Sequence, residues 1–397
     1  MKIVEIETIR IEEHSNICWV LVKTDEGVIG LGETWFGAEA VEAYIHESAA
    51  PYLLGRDPLA IDAISAGLKG YLGFVSSGVE MRGNSALDIA LWDILGKVTN
   101  QPLAQLLGGF TRESIRTYNT CAGSRYMTKG NQSVANYARG QGDLRYDDLN
   151  GFLNHAGDLA EDLLSEGITA MKIWPFDAAA EKTGGQHISV ADLKAGLRPF
   201  ELIRERVGDK MDIMVEFHSM WQLPPAIEIA RALEPYRTFW HEDPMKMDSL
   251  GDLKRYADAS RAPVCASETI ATRWGFRDLL QTDAAGVIML DLSWCGGLSE
   301  AKKIASMAEA WHLPIAPHDC TGPVVLCAST HLSLNATNAL IQESVRAFYN
   351  GWYRDVVTEV PPVENGFITV PKGPGLGLEL SSDLAKGFAV SRRFSRA

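Results

Sequence analysis

Three short apolar segments that each run into an acidic residue decide the fold: DIMVEFH (212–218), FWHEDP (239–244) and VCASET (264–269). Their carboxylates, Glu216, Glu242 and Glu268, recur at about one strand-plus-helix interval. A repeating strand and helix unit builds a parallel sheet, and a closed barrel directs the C-terminal ends of its strands to one face. We therefore predict that the three carboxylates are neighbours at one mouth of a barrel.

The same rhythm continues on both sides of these segments and predicts eight parallel strands in all. The other five segments are IRTYNTCA (115–122), AMKIWPF (170–176), GVIMLDL (286–292), LPIAPHD (313–319) and ALIQES (339–344). We assign residues 121–355 to this α/β barrel. Two of its connections, 123–155 and 176–193, are too long for simple turns, and long insertions at a catalytic face commonly contact the substrate.

The first 120 residues have a different pattern of apolar segments and turns, which predicts a smaller α+β capping domain. MKIVEIETIRI (1–11) and CWVLVKTDEGVIGLGE (18–33) read as antiparallel strands, and the DEG within the second is a turn signal. The segment SALDIALWDILGK (85–97) has apolar residues at helical spacing. After Tyr353 short strands and turns return, so we expect residues 356–397 to complete the cap.

Composition and charge narrow the function classes. Hydrophobic residues make up 46% and charged residues 22% of the chain, as in an ordinary globular protein with a sizeable core. The formal net charge of −14 argues against binding of nucleic acid or of an anionic membrane, because few cations are available to neutralise phosphates. The 6 cysteines are scattered and no secretory signal or membrane span is visible, so we expect a cytoplasmic enzyme with reduced thiols.

Ionisable residues at the predicted strand ends indicate a metal and a general base. Three neighbouring carboxylates would raise one another's pKa, whereas a hard divalent cation such as Mg²⁺ prefers these oxygen ligands. His318 ends a strand one unit after Asp291, and an aspartate on the adjacent strand would orient the imidazole. His218 lies two residues after Glu216, so on an extended strand both side chains would face the same way. Each residue alone is more often a cap, a surface charge or a packed residue, and the joint pattern is what indicates a site.

Eight ordered motifs resemble the mandelate racemase-like branch of the enolase superfamily over nearly the whole chain: ALDIALWDILGK (86–97), MKIW (171–174), MVEFH (214–218), HEDP (241–244), ASET (266–269), DLSWCGG (291–297), APHD (316–319) and QES (342–344). The resemblance implies a capping domain on a (β/α)7β TIM-type barrel. It implies that Glu216, Glu242 and Glu268 hold Mg²⁺ and that a substrate carboxylate binds that ion. Symmetric homo-oligomers are implied as well.

The resemblance also implies roles for three residues near the predicted metal. His318, paired with Asp291, is expected to abstract the proton next to the substrate carboxylate, which gives an enediolate that the metal stabilises. Glu343 matches a glutamate of the last strand that hydrogen-bonds the developing enediolate, for which it would carry a proton. These expectations describe carbon-acid chemistry on a small-molecule carboxylate.

One departure and one match narrow the choice of reaction. Members that work from both faces often carry a Lys-x-Lys pair on the second barrel strand, and here its second position is Trp174, which disfavours a lysine-based racemase. Lys172 remains, either to balance the carboxylates or touch the substrate carboxylate, or as a purely structural salt bridge. His218 matches the general acid of the dehydratase branch, which implies loss of the β-hydroxyl from a sugar acid to give a 2-keto-3-deoxy acid.

Other reactions stay open at this point. They are a racemase or epimerase that uses His218 as an opposite-face base, a lactone or muconate cycloisomerase, and a protein that binds a small acid without turnover. The binding-only reading predicts loss of a ligand or of the base, and all of these residues are present.

Substrate recognition is expected from the cap and from the first long insertion. The cap candidates are His14, Ser15, Asn16, Trp35 and Phe36, and the insertion candidates are Arg125, Tyr126, Arg139, Arg145 and Tyr146. If an arginine of the insertion reaches the pocket, an aldaric diacid becomes a candidate beside the aldonic acids. Otherwise these arginines are solvated loop charges.

Overall fold

The computed structural model describes residues 1–70, 76–126 and 146–397. Its strands are β1 (Ile3–Ile11), β2 (Ile17–Thr24), β3 (Ile29–Trp35), β4 (Ile115–Thr120), β5 (Ala170–Ile173), β6 (Asp212–Glu216), β7 (Trp240–Glu242), β8 (Val264–Ala266), β9 (Val287–Ile288), β10 (Gln342–Ser344), β11 (Val363–Glu364), β12 (Phe367–Ile368) and β13 (Val390–Arg396).

The helices of the described residues lie between these strands, singly or in runs. They are α1 (Ala38–Tyr44), α2 (Ala50–Leu53), α3 (Ile61–Leu68), α4 (Val79–Thr99), α5 (Leu103–Leu106), α6 (Asp148–Asn154), α7 (Ala156–Ser165), α8 (Asp177–Thr183), α9 (Val190–Val207), α10 (Leu223–Leu233), α11 (Leu250–Ala259), α12 (Thr272–Gln281), α13 (Gly297–Ala310), α14 (Pro323–Asn335), α15 (Arg346–Tyr349), α16 (Tyr353–Val356) and α17 (Leu384–Gly387). A π-helical turn, Ile45–Ala49, joins α1 to α2. No helix of the described residues has the length and apolar composition needed to cross a membrane.

The cap is an antiparallel sheet in the order β13-β1-β2-β3, with helix α4 packed closely against β3. This approach depends on two glycines that face the helix. A Cβ atom on Gly30 would lie 2.1 Å from the carbonyl oxygen of Ala90, and one on Gly32 would lie 1.9 Å from that of Ala86. The alternating GLG sequence of β3 therefore removes side chains on one face and leaves Leu31 to pack on the other.

The barrel is a parallel ladder from β4 to β9 that closes where β10 pairs with β4. This confirms the predicted α/β barrel with an α+β cap. The segment expected as the seventh strand is reduced to bridges from Ile315 to Ile288 and to Ala339. Pro314 and Pro317 flank Ile315, and proline has no N–H to donate to a ladder, so only a short contact remains.

The C-terminal region divides between the two sheets. Strand β13 pairs with β1 over the register Glu5↔Arg396 to Ile11↔Val390, so this part adds to the cap sheet. The hairpin of β11 and β12 instead pairs with β4 through Phe367↔Arg116 and Ile368↔Ile115. The expectation that the whole segment 356–397 returns to the cap is therefore wrong for this hairpin, whose two-residue strands extend the barrel sheet.

A layer of buried side chains fills the barrel below its C-terminal mouth. It comprises Tyr118, Ala170, Met214, Trp240, Cys265, Val287, Met289, Ala316 and Ile341. The rings of Tyr118 and Trp240 meet edge to face with centroids 5.3 Å apart. Inward-facing residues alternate with outward-facing ones along each strand. The next inward-facing residues above this layer, among them Lys172, therefore lie at the floor of the mouth.

Candidate active site

A cavity of about 320 Å³ opens at the C-terminal ends of the barrel strands. The cap contributes Trp35 to its lining, and the barrel and its connections contribute Thr120, Tyr126, Lys172, Trp174, Asp177, Glu181, Glu216, His218, Met220, Glu268, His318 and Cys320. The cavity therefore lies at the catalytic face of the barrel and is covered from one side by the cap.

The three acidic residues of the sequence pattern meet at this mouth. Glu216 and Glu242 end β6 and β7 directly opposite each other, and Glu268 follows β8. One oxygen of each carboxyl lies within 4.8 Å of the others. Burial raises the pKa of all three carboxyls, and for Glu242 the charge of Glu216 raises it further.

A divalent cation fits this trio. Among the described residues, Glu216 Oε2 has no hydrogen-bond partner although it is buried. A hard cation would satisfy that oxygen and would offset the repulsion among the carboxylates.

Lys172 lies beneath the trio with its side chain buried. Its Nζ is 2.5 Å from Glu242 Oε1, 2.8 Å from Glu343 Oε1 and 3.5 Å from Glu216 Oε2. Burial alone would lower the pKa of Lys172, but the charges of Glu242 and Glu343 raise it well above its ordinary value. These contacts place the Lys172 ammonium against Glu242 and Glu343 in the cavity floor.

His318 and Asp291 form a buried pair across neighbouring barrel segments. The imidazole Nδ1 is 2.7 Å from Asp291 Oδ2, and Asp291 Oδ1 accepts hydrogen bonds from the Ser293 amide at 2.6 Å and its hydroxyl at 2.5 Å. The other ring nitrogen, Nε2, is 3.1 Å from Glu268 Oε2. Burial lowers the pKa of His318, but Glu268, Glu343 and Asp291 together hold it well above its usual range.

His218 also lines the cavity, although the extended-strand reasoning that placed it there is wrong. Strand β6 ends at Glu216, and His218 and Ser219 have φ values of +48° and +57°, which is a left-handed turn. The turn is fixed in part because the His218 amide donates to Glu216 Oε1 at 2.5 Å. The ring Nδ1 lies 2.6 Å from Asp177 Oδ2, so His218 has its own aspartate partner.

Glu343 differs from the expected proton-carrying form. Its Oε1 accepts from Lys172 and from the Thr120 hydroxyl, and its Oε2 accepts from the Asp319 amide at 2.9 Å. Burial raises the pKa of Glu343, but the charges of Lys172 and His318 outweigh this effect and lower it. Surrounded by donors, Glu343 is charged and accepts hydrogen bonds.

The cap candidates are divided by the structure. Trp35 reaches the cavity, and its carbonyl accepts from Trp294 Nε1 at 2.9 Å. Ser15 and Asn16 line a separate cleft of the cap, and the buried ring of His14 stacks on Trp352 at 4.0 Å. These three residues and the half-exposed Phe36 are not among the described residues that line the cavity, so a contact with the substrate stays a prediction for them.

The candidates of the first insertion are also divided. Tyr126 lines the cavity, whereas Arg125 is exposed and absent from its lining. The ring of Tyr146 lies 4.9 Å from the guanidinium of Arg346. Arg139 and Arg145 lie outside the described residues.

Sequence reasoning missed several lining residues. Asp177 and Glu181 belong to α8 in the second long connection, where an acidic residue in the first helical turn normally reads as a helix-terminus charge. Only their spacing of four residues, which puts both on one helix face, was available as a signal. Thr120, Met220 and Cys320 carry no pattern that distinguishes them from packed residues.

Family models match both parts of the chain. Residues 7–108 match the mandelate racemase / muconate lactonizing enzyme N-terminal domain, and residues 155–384 match the enolase C-terminal domain-like family.

Curated relatives resemble the chain over nearly its whole length. D-galactonate dehydratase of Ralstonia nicotianae is 31% identical, covering 97% of this chain and 93% of the relative. D-xylonate dehydratase of Haloferax volcanii is 29% identical, covering 98% and 89%.

Solved structures agree with these matches. An enolase of the mandelate racemase subgroup from Agrobacterium tumefaciens is 65% identical, with a TM-score of 0.89 over 100% of this chain and 99% of that one. An enolase protein from Sargasso Sea environmental sequencing is 42% identical, with a TM-score of 0.89 over 100% and 99%. The chain therefore belongs to the mandelate racemase and muconate lactonizing enzyme family of the enolase superfamily.

Proposed function

We propose that this protein is a Mg²⁺-dependent dehydratase of a sugar acid, in which His318 removes the proton beside the carboxylate and His218 protonates the departing β-hydroxyl. The observation that carries this proposal is the presence of two histidine and aspartate pairs at one cavity. His218 follows the third barrel strand, β6, and His318 follows the seventh segment, at Ile315. Positions four apart in an eight-membered barrel lie across the mouth from each other.

Glu216, Glu242 and Glu268 would hold the cation. When bound, Mg²⁺ supplies a Lewis acid that makes the proton beside the substrate carboxylate easier to remove. Lys172 adds a fixed positive charge at the cavity floor, where it favours the growing negative charge on the carboxylate oxygens.

The proton transfers then fall to the two histidines. His318 Nε2 accepts the C2 proton, while Asp291 keeps the ring oriented through Nδ1 and stabilises the imidazolium that forms. In the present arrangement Nε2 contacts Glu268, so Glu268 has to turn its oxygen to another partner first. Loss of the C3 hydroxyl forms the C2–C3 double bond of an enol, which becomes the 2-keto-3-deoxy acid.

His218 suits the role of the acid. Burial lowers its pKa, but the charges of Asp177 and Glu216 raise it to about 10, so the ring carries a proton at neutral pH. The proton on Nε2 joins the leaving hydroxyl as water.

We further propose that the substrate is an aldonic rather than an aldaric acid. Lys172 is the one lysine or arginine among the described lining residues, and it lies at the metal end of the cavity. The helix α8 side of the lining carries the carboxylates of Asp177 and Glu181 together with Trp174 and Met220. The Lys172 ammonium already contacts Glu242 and Glu343, so the described lining has no further lysine or arginine to pair with a second substrate carboxylate. The names of the relatives in Ralstonia and Haloferax support this choice.

A paired substrate panel tests the choice. Aldonates and the aldarates of matching stereochemistry are incubated with the protein and Mg²⁺, and 2-keto acid formation is measured. We expect one aldonate series to be turned over with a kcat/KM at least about 10-fold above its aldarate counterpart, since a desolvated carboxylate without a cationic partner costs on the order of 1 kcal/mol or more. Preference for the aldarate would contradict the aldonic assignment, and keto acid from neither class would contradict the dehydratase.

A further inference from the structure

Asp177 is a buried carboxylate whose single described contact is with a cavity residue. It opens helix α8, its side chain is 1% exposed, and its Oδ2 lies 2.6 Å from His218 Nδ1. Among the described residues, Oδ1 has no hydrogen-bond partner. Phe176, not Asp177, is the N-cap of α8, and it makes no side-chain capping bond. A buried carboxylate with one unsatisfied oxygen is costly, so helix capping does not explain it.

The contact has the same form as the His318 and Asp291 pair. In both pairs a buried aspartate oxygen lies within 2.7 Å of Nδ1, so Nε2 is the ring nitrogen that the aspartate does not use; in His318 this nitrogen contacts Glu268. Because an ionised carboxylate only accepts, the aspartate fixes the hydrogen on Nδ1. Each pair therefore sets both the direction of its ring and the nitrogen that faces a substrate.

The ring of His218 needs this support more than that of His318. Its side chain is 29% exposed, and its backbone lies in a left-handed turn beyond the end of β6. The aromatic neighbour on its cavity side is Trp174, at 5.7 Å between ring centroids and in an edge contact. An edge contact at this distance leaves other rotamers of the imidazole open, whereas a short hydrogen bond from Nδ1 does not.

We propose that Asp177 is a positioning residue that holds the His218 imidazole with Nε2 toward the leaving hydroxyl of the substrate. The proposal rests on the proposed dehydratase function and adds a residue to it. In the step concerned, the Nε2–H and C3–O bonds break, the proton bonds to the departing oxygen to give water, and the electron pair of the enediolate forms the C2–C3 double bond. His218 becomes neutral with its hydrogen on Nδ1, still bonded to Asp177, and it is reset when Nε2 takes a proton from solvent water.

The test compares Asp177→Asn, His218→Asn and the double variant, each with Mg²⁺ and the aldonate found active for the wild-type protein. Keto acid formation measures elimination. Loss of deuterium from a C2-deuterated substrate measures proton removal by His318. We expect Asp177→Asn to lower kcat for keto acid by about 10- to 100-fold, as part of the roughly 10²- to 10⁴-fold that a general acid supplies. KM and C2 exchange should be largely kept, because neither depends on the direction of the His218 ring.

Non-additivity is the decisive readout. The double variant should be no slower than His218→Asn, because a positioning residue has nothing to position once the imidazole is gone. Asp177→Glu, which keeps the carboxylate, should regain part of the lost kcat. The matched control is Asp88→Asn, which alters a buried aspartate that accepts from the Ser299 amide at 2.9 Å, away from the cavity. It should leave elimination, exchange and their ratio unchanged.

Three results would overturn the proposal in distinguishable ways. If the double variant loses the product of the two single-variant losses in kcat, Asp177 and His218 act independently. This result would leave Asp177 with a structural role alone. Equal loss of elimination and exchange in Asp177→Asn would do the same. Keto acid absent from the wild-type reactions would instead overturn the proposed function, and the positioning role with it. The hydrogen bond between His218 and Asp177 can be detected by proton NMR without substrate. A downfield Nδ1–H resonance should be present in the wild-type protein and lost in Asp177→Asn and in His218→Asn.

Discussion

Replacing His318 with Asn should abolish both proton exchange at C2 and keto acid formation. The variant removes the Nε2 base at the cavity, and no other imidazole on that side of the described lining can replace it. A general base contributes about 10²- to 10⁴-fold, and here the same proton transfer precedes every later step, so both readouts should fall together by at least that amount. Deuterium loss from a C2-deuterated aldonate and keto acid formation, measured side by side with Mg²⁺, check this.

The fold should tolerate this change. Asp291 keeps its hydrogen bonds from the Ser293 amide and hydroxyl, so we expect a loss of about 1–3 kcal/mol in the free energy of unfolding and not loss of structure. His331→Asn is a matched control, because His331 is also buried and accepts from the Ala104 amide at 3.2 Å outside the cavity. It should lose stability but keep activity. Exchange that survives in His318→Asn would remove this residue as the base.

Replacing Glu242 with Gln should weaken Mg²⁺ binding strongly. Both oxygens of Glu242 accept hydrogen bonds, from Lys172 at 2.5 Å and from Trp240 Nε1 at 3.0 Å. A glutamine turns one of these acceptors into a donor and removes a negative charge from the trio. Since loss of a residue that only supports a ligand already costs about 10- to 100-fold in metal affinity, we expect loss of a ligand to cost at least as much.

The affinity for Mg²⁺ can be measured without an activity assay. Calorimetric titration with Mg²⁺ measures the dissociation constant directly, and the rise in Tm with Mg²⁺ concentration measures binding to the folded state. Asp88→Asn, the buried carboxyl outside the cavity, should keep wild-type affinity in both. A Mg²⁺ titration of Glu242→Gln that matches the wild-type protein would contradict the assignment of Glu242 as a ligand.

The parts of the site that lie at or just beyond the ends of the barrel strands follow from the sequence. The spacing of Glu216, Glu242 and Glu268 is a direct consequence of the strand and helix repeat, so the pattern predicts their meeting at one mouth. His318 and Asp291 follow from the same repeat, because adjacent parallel strands end side by side. The strand and helix repeat therefore predicts which strand ends are neighbours, independently of the structure of the loops.

The parts that depend on turns and connections do not follow from periodicity. His218 reaches the cavity through a left-handed turn that an extended-strand argument cannot predict, and the reason is a contact between its amide and Glu216. Asp177 is presented by a helix inside a long connection, and its role is visible only from its distance to the imidazole. The charged form of Glu343 likewise depends on three donors from separate elements.

The position of solvent deuterium in the product tests the central claim most directly. The wild-type protein is incubated in D₂O with Mg²⁺ and the aldonate that it turns over, and the products are examined by NMR. Elimination through the enol predicts a 2-keto-3-deoxy acid that carries one solvent deuterium at C3. Deuterium at C2 of an epimer that keeps all of its hydroxyls, with no keto acid, would contradict the dehydratase and identify an epimerase.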